Sequence, residues 1–129
     1  MKIVLATGGF DPLHSGHISY LKSARELGDK LIVGLNSDDW LTRKKGRPFM
    51  PYKERAAIVE NLKMVDHVMD FNDDEDHATD AIFKIYNKLM PDDILVFANG
   101  GDRTATNIPE MDCYQNSTNV RFVFGIGGD

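Results

Sequence analysis

The sequence predicts an α/β fold: a Rossmann-like single domain with a five-stranded parallel sheet flanked by helices. Short β-branched apolar runs alternate along the chain with segments whose apolar residues recur at helical spacing. Alternation of this kind is typical of parallel strands joined by right-handed helical crossovers. The 129 residues are enough for one domain with a real core, and no internal repeat or low-complexity linker divides them. Residues 1–129 are therefore expected to form one domain.

The predicted strands and helices follow one another in alternating order. Residues 2–6 (KIVLA) predict the first strand, and apolar residues at helical spacing from Ile18 to Leu27 predict the first helix, which Gly28 closes. The other four strands are predicted at 31–35, 65–71, 94–98 and 120–124. The other helices are predicted at 52–62, 77–89 and 108–115.

Two of these helices carry a pattern that predicts which side faces the core. Pro51 is suited to a helix start, and the side chains of helix 52–62 expected to face inward are Ile58, Val59 and Leu62. Helix 77–89 ends before Pro91, and its apolar face is expected to contain Ala81, Ile82, Ile85 and Leu89.

The turns that follow the strands are the expected place for a ligand, because open parallel sheets bind ligands beyond the carboxyl ends of their strands. These turns are predicted at 7–17, 36–51, 72–76 and 99–106. Three of them are rich in glycine or in charge suited to a ligand. The acidic run 73–76 is the exception, and it is interpreted as a solvated loop that the dipole of the following helix stabilises.

The turn from Thr7 to His17, TGGFDPLHSGH, has the features of a phosphate-binding turn. Gly8 and Gly9 are expected to adopt positive φ and to let the backbone approach a ligand, while the helix start supplies unpaired amides and a positive dipole end. If that helix begins near Ser15, His14 and His17 can face the same ligand. Two exposed histidines on an ordinary helix are the alternative, and a zinc site is not predicted because no third ligand has suitable spacing.

Charge and composition restrict the partners of the chain. A net charge of −5 opposes nonspecific binding to nucleic acid or to an anionic membrane surface. The longest apolar runs are about half a membrane span or less. The single cysteine, Cys113, cannot form an internal disulfide. We therefore expect a cytoplasmic protein with no nucleic-acid and no membrane partner.

The turn from Thr7 to His17 matches a sequence signature of a known protein superfamily. Its residues resemble the GxFDxxHxGH pattern of the nucleotidyltransferase superfamily that includes the cytidylyltransferases and the ADP-heptose synthase adenylyltransferase domain, and the matching positions are Gly8, Phe10, Asp11, His14, Gly16 and His17. The resemblance implies transfer of a nucleoside monophosphate, with CMP from CTP preferred, to a small phosphorylated alcohol or sugar with release of pyrophosphate. It also implies Mg²⁺ bound with the nucleoside triphosphate, and a homodimer.

The resemblance assigns roles to individual residues. The catalytic residues would be His14, His17 and Lys44. The nucleotide-binding residues would be Thr7, Gly8, Gly9, Phe10, Asp11, Gly16, Arg55, Gly101 and Asp102. The acceptor-binding residues would be Asp38, Arg47 and Arg103. No residue is assigned to a protein-held metal site.

Several of these roles have a structural alternative. The cations at positions 43, 44, 45 and 47 lie in a turn at the ligand-binding edge, although such a run is also typical of a solvated surface. Asp11 can serve as a turn residue, Arg55 can form an ordinary helix salt bridge, and Asp38 can cap a helix or turn.

Two other functions stay open at this stage. The run GGDRTATNIPE resembles the sugar-type branch of the superfamily, which favours an adenylyltransferase that uses ATP and a sugar phosphate. The family's Ser/Thr-rich segment after the fifth strand is absent from these 129 residues. A noncatalytic nucleotide-binding module is therefore the second alternative.

Overall fold

The computed structural model describes residues 1–100, 109–114 and 116–127 of the chain. Its described strands are β1 (Lys2–Gly8), β2 (Lys30–Leu35), β3 (His67–Met69), β4 (Ile94–Ala98) and β5 (Val120–Val123). Its described helices are α1 (Ser15–Arg25), α2 (Asp38–Lys45), α3 (Tyr52–Glu60), α4 (Thr79–Tyr86) and α5 (Glu110–Tyr114). The strands form one parallel sheet in the order β3–β2–β1–β4–β5, which confirms the predicted fold class.

The central strands are buried on both faces, as parallel strands covered by helices must be. Val4 and Ala6 of β1 belong to a core on the side of α1 and α3, whereas Leu5 between them belongs to a second core on the side of α4. Each of the three is fully buried. The short apolar runs of the sequence are therefore strands sandwiched between two helical layers.

Helix α2 lies within a segment that was predicted to be a loop, so that prediction is wrong. Only Leu41 of α2 is buried, and the segment therefore lacks the apolar periodicity that would predict a helix. Its helical signals are at the ends: Ser37 Oγ accepts a hydrogen bond from the Trp40 amide at 3.0 Å, and Gly46 closes the helix at φ 93°. Acidic residues in its first turn and basic residues in its last turn complement the helix dipole.

Some expected faces and bounds also differ from the structure. Ile58 was expected to face inward, but 40% of it is exposed, and the buried positions of α3 are Arg55 and Val59. Strand β3 pairs over three residues only, although seven were predicted, because it lies at the sheet edge and pairs with β2 alone. Of the apolar face predicted for the following helix, three residues lie in α4 and are buried, and Leu89 lies beyond its end.

The strand order places a switch point between β1 and β4. From β1 the chain continues outward through β2 to β3, and it then returns to β4 on the other side of β1. Connections on the two sides diverge at such a point and leave a crevice at the carboxyl ends of the strands. Gly8 ends β1 and Asn99 follows β4, so both lie at this crevice.

Candidate active site

The two signature histidines form the cap of helix α1, which begins at Ser15, the start that would let both histidines face one ligand. His14 Nδ1 accepts a hydrogen bond from the Gly16 amide at 3.1 Å, and His17 Nδ1 accepts one from the His14 amide at 3.1 Å. This reciprocal arrangement has the geometry of a capping box, with histidines in place of the usual hydroxyl and carboxylate. The rings stack with their centroids 3.8 Å apart.

These bonds determine which ring nitrogens carry hydrogen. Because each Nδ1 accepts a hydrogen bond, each neutral imidazole carries its proton on Nε2. Among the described residues, neither Nε2 has a hydrogen-bond partner. The turn therefore presents two N–H donors with fixed tautomers beside a helix N-terminus, which is a favourable arrangement for an anion.

The surroundings of His17 keep it neutral. Partial burial lowers its pKa from the ordinary 6.5, and the neighbouring charge of His14 lowers it further. The edge of the buried Phe10 ring meets the His17 ring at 87°, with the centroids 5.0 Å apart. Phe10 also belongs to the core on the α1 side. The Phe10 ring of the signature therefore packs between the core and the His17 ring.

The glycines of this turn leave room for neighbouring side chains. The expectation of positive φ at Gly8 and Gly9 is wrong, because the left-handed residue of this turn is Phe10, at φ 48°. A Cβ on Gly9 would lie 2.9 Å from Leu41 Cδ2, and one on Gly16 would lie 2.9 Å from the His14 ring. Gly16 thus leaves room for His14 to fold back onto the helix start.

Asp11 fastens the turn to the segment between α2 and α3. Its carboxylate accepts hydrogen bonds from the amides of Phe49 at 2.5 Å and Met50 at 2.6 Å, and it pairs with Lys45 at 2.7 Å. Burial acts to raise its pKa, but these bonds outweigh burial and hold the pKa below its ordinary value. Only 1% of the side chain is exposed, and in this structure Asp11 binds other parts of the protein, as its alternative interpretation as a turn residue would require.

Arg55 is a buried hub between three segments. Its Nη1 donates to the carbonyl oxygens of Gly9 at 3.0 Å and Asn36 at 2.8 Å, and its Nε donates to Met50 O at 3.0 Å. Its Nη2 pairs with Asp38 Oδ1 at 2.7 Å. The side chain is fully buried. In this structure the guanidinium and the Asp38 carboxylate therefore bind each other and the backbone, and neither of them lines the crevice at the end of β1.

The four cations at positions 43, 44, 45 and 47 lie in different surroundings on and after helix α2. Lys44 projects toward the crevice with its Nζ 4.7 Å from the centre of the Trp40 ring. Lys45 pairs with Asp11, and Arg43 binds Asp76 Oδ1 at 3.0 Å and Asp73 O at 2.7 Å. Arg47 is exposed beyond the helix end. Of these four cations, Lys44 is the one that lines the cavities at the crevice.

Asp73 was interpreted as part of a solvated loop, and that interpretation is wrong. It is 2% exposed and accepts hydrogen bonds from Ser37 N at 2.7 Å, Ser37 Oγ at 2.7 Å and Asn36 Nδ2 at 3.1 Å. Its carboxylate thereby fixes the two residues that precede α2, of which Ser37 is the N-cap of the helix. No sequence signal separated Asp73 from its exposed acidic neighbours, because burial depends on how the two loops meet.

Two cavities flank the carboxyl end of β1, and Thr7, Gly8 and Lys44 line both. The first, of about 350 Å³, extends toward β4, where His17, Tyr20 and residues 98–100 line it. The second, of about 570 Å³, extends toward the loop before α4, where Trp40, Asp76, His77 and Glu110 line it. The structure thus gathers His17 and Lys44, two of the predicted catalytic residues, around one strand end.

The second cavity contains polar residues that the sequence did not single out. Glu110 is fully buried, and its Oε2 accepts a hydrogen bond from the Ala78 amide at 2.7 Å. His77 is the residue directly before Ala78. Both lie in segments whose sequence patterns indicate only a helix start, and the fold brings them to the site.

Three predicted site residues, Gly101, Asp102 and Arg103, lie outside the described residues. Within the described part of the chain, no group of three or more His, Cys, Asp or Glu side chains could hold a metal ion. No helix in those ranges is long and apolar enough to cross a membrane.

A larger cavity, of about 760 Å³, lies away from this crevice. Ile3, Ile32, Met69 and Phe83 give it an apolar wall on the open sheet face beside α4. Among the described residues that line it, none belongs to a glycine turn, to a helix N-terminus or to the signature. The crevice at the end of β1 is therefore the better candidate for chemistry, although it is smaller.

Comparison with known proteins places this geometry in a family. The sequence model of the family described as cytidylyltransferase-like matches residues 5–124. Bifunctional protein HldE of Haemophilus influenzae is 42% identical over 132 residues, covering 92% of this chain and 27% of the relative. HldE of Shewanella sediminis is 43% identical over 103 residues, covering 78% of this chain and 20% of the relative. The chain thus spans about a quarter of the length of these relatives.

Solved structures show the same fold. The lipopolysaccharide core biosynthesis protein from Thermoplasma volcanium GSS1 superposes with a TM-score of 0.74 at 28% identity, covering 100% of this chain and 99% of that one. NadR protein in complex with NR superposes with a TM-score of 0.62 at 18% identity, covering 97% of this chain and 36% of that one. The second likeness is one of fold alone.

Proposed function

The chain belongs to the cytidylyltransferase-like family, and we propose that it transfers a nucleoside monophosphate from a nucleoside triphosphate to a small sugar phosphate. The observation that carries this proposal is the histidine pair. His14 and His17 hold each other's orientation through backbone bonds and keep their Nε2–H groups available. Fixed donors at a helix N-terminus suit a reaction in which negative charge accumulates on phosphate oxygens.

The proposed reaction needs positioning more than proton transfer. An oxygen of the acceptor phosphate attacks the α-phosphorus, a new P–O bond forms, and the bond from the α-phosphorus to the bridging oxygen breaks as pyrophosphate leaves. The attacking oxygen is already ionised, so no general base is required. The Nε2–H groups of His14 and His17 would donate to the phosphate chain as its charge shifts toward the leaving group.

Lys44 has the position expected of a residue that meets both substrates. It lines both cavities, so its ammonium can approach the nucleotide in the first and the acceptor phosphate in the second. A cation shared between two anions reduces the repulsion that opposes their approach. The stacking on Trp40 restrains its flexible side chain.

The second cavity favours a polyhydroxylated acceptor. Asp76, His77 and the buried Glu110 can bind hydroxyl groups, while the Trp40 ring offers an apolar face to a sugar. The two relatives named HldE and the lipopolysaccharide core biosynthesis protein also favour a sugar phosphate acceptor, as does the GGD run. Because the sugar-type branch that the GGD run resembles favours ATP, we propose ATP as the nucleotide. CTP, which the signature favoured, remains the alternative that the experiment must include.

Magnesium would arrive with the triphosphate. Asp11, the signature carboxylate, is engaged by two backbone amides and by Lys45, and it is not free to bind an ion. The described residues contain no cluster of three ligating side chains that could hold a metal ion. The phosphate oxygens themselves are the expected ligands.

The test is release of pyrophosphate from ATP or CTP in the presence of magnesium and a panel of acceptors. The panel contains hexose 1-phosphates, heptose 1-phosphates and glycerol 3-phosphate, with the parent sugars as controls, and mass spectrometry identifies the nucleotide-linked product. We expect turnover with ATP and a sugar phosphate. Turnover with CTP would restore the first prediction. Nucleotide binding without pyrophosphate release for any acceptor would favour the noncatalytic module.

A further inference from the structure

Asn99 contains a buried polar atom that the proposed reaction does not yet use. The residue follows β4 at the switch point and is 2% exposed. Its Nδ2 donates to Phe97 O at 3.3 Å and to Val123 O at 3.2 Å, and its backbone groups pair with Val123 and Ile126. Across the described residues, its Oδ1 is the buried side-chain atom left without a hydrogen-bond partner.

The orientation of this amide is determined by its neighbours. Exchanging oxygen and nitrogen would place Oδ1 against two carbonyl oxygens and would lose both hydrogen bonds of Nδ2. The free atom is therefore an acceptor. Buried acceptors in folded proteins almost always have a donor, and an unpaired one is costly, so its persistence calls for a partner that the chain does not supply.

The position of Asn99 indicates what that partner is. It lines the first cavity together with His17 and Lys44, on the β4 side of the crevice. If the histidine pair holds the phosphates and the acceptor occupies the second cavity, the nucleoside must extend into the first cavity toward β4. Asn99 then lies beside the nucleoside and away from the reacting phosphorus.

We propose that Asn99 reads the nucleoside: its Oδ1 accepts a hydrogen bond from an N–H or O–H group of the bound nucleotide. The donor is the exocyclic amine of the base or a ribose hydroxyl. Where the donor is the base amine, a base that presents a carbonyl oxygen at that point would meet Oδ1 with repulsion, and Asn99 would discriminate among bases; where the donor is a ribose hydroxyl, Asn99 would discriminate against the deoxynucleotide that lacks it. This inference rests on the proposed function, because it requires a nucleotide in the first cavity.

The experiment is a binding cycle between the side chain and the ligand, measured by titration calorimetry with magnesium. The wild-type protein and Asn99→Leu, of similar shape, are titrated with ATP, inosine triphosphate, 2′-deoxy-ATP and 3′-deoxy-ATP, and the wild-type protein is also titrated with CTP. Asn61→Leu, at an exposed asparagine, is the matched control. Thermal melting checks that each variant is folded.

We expect the wild-type protein to bind ATP about tenfold more tightly than the one analogue that lacks the donor, which corresponds to about 1.4 kcal/mol. In Asn99→Leu that ratio should fall to about one, and in Asn61→Leu it should persist. Weaker binding of inosine triphosphate would identify the base amine as the donor, and weaker binding of a deoxy analogue would identify the missing hydroxyl as the donor.

Discrimination that is identical in wild type and Asn99→Leu would overturn the inference while leaving nucleotide binding intact. If Asn99→Leu does not fold, the wild-type titrations still decide, because equal affinity for all four nucleotides would overturn it. Absence of binding for every nucleotide, CTP included, would overturn the proposed function and this inference together.

Discussion

Replacing Arg55 tests whether the hub is structural or binds phosphate. Arg55→Met retains much of the apolar stem but leaves three carbonyl oxygens and one carboxylate oxygen without their shared donor. Removing one partner of a buried ion pair costs about 3–5 kcal/mol. Because 43% of the Asp38 side chain is exposed and can regain water, the lower end of that range, about 3 kcal/mol, applies here.

That loss should be visible in thermal unfolding. For a domain of this length, a loss of about 3 kcal/mol lowers the Tm by about 10 °C. Differential scanning calorimetry of Arg55→Met measures it, with Arg47→Met at an exposed arginine as the matched control. Arg55→Lys should recover little, because a single ammonium cannot reach oxygens on three segments.

A structural role for the Arg55 hub is excluded if Arg55→Met melts within about 3 °C of the wild-type protein. If the Tm is unchanged but the nucleotide binds more weakly, the phosphate contact expected from the sequence is the better account of Arg55. A large fall in the Tm together with weaker binding would agree with the hub, since Arg55 holds Gly9 of the signature turn in place.

The remaining predictions concern the histidine pair, α2 and pH. His17→Ala should lower kcat by about a hundredfold or more with little change in the Tm, because a transition-state contact is lost without a core cavity; unchanged turnover would remove it from the mechanism. Lys44→Ala should raise the half-saturating concentration of nucleotide or acceptor, and a titration followed by the fluorescence of the one tryptophan measures that concentration. Unchanged values for both would mean that the cationic run of α2 is an ordinary solvated surface. Asp73→Ala should cost about 2 kcal/mol in urea unfolding because Ser37 loses its acceptor, whereas exposed Asp74→Ala should cost almost nothing. Because the pKa of free His17 lies below 6.5, its contribution to stability is present above pH 6.5 and is lost as the pH falls through its folded pKa. Bound triphosphate should raise that pKa, so nucleotide binding should take up protons at a pH between the pKa of the free and that of the bound side chain; calorimetry in two buffers of different ionisation enthalpy measures this over a series of pH values, and zero uptake throughout contradicts it.

The sequence predicted the strands well because each is a short apolar run between turn residues. Strand β4 has its predicted bounds, whereas α1 begins at Ser15, before the first apolar residue of its predicted pattern, Ile18. Helix α2 was missed because its stability comes from its ends and from Asp73, and neither contributes apolar periodicity. Periodicity detects a helix through its buried face, so a helix with one buried residue escapes it.

The site was predicted in outline. The family resemblance singled out His14 and His17 in the first turn and Lys44 in the second, and the structure brings His17 and Lys44 to the same cavity. The predicted ligand contacts of Asp11 and Arg55 remain predictions, although the structure engages both side chains with the protein itself. The polar groups of the second cavity could not be predicted, because they come from loops separated in sequence.

The alternation of strands and helices, the glycine- and histidine-rich turn after the first strand and the family can all be read from the amino-acid sequence, because local periodicity and a ten-residue signature are contained in consecutive residues. Which charges are free and which are structural depends on the tertiary structure. Burial and pairing depend on residues distant in the chain, so Arg55 and Asp73 become internal ties while Lys44 remains open to the crevice. The same long-range packing isolates Asn99 Oδ1, and no local pattern could have shown it.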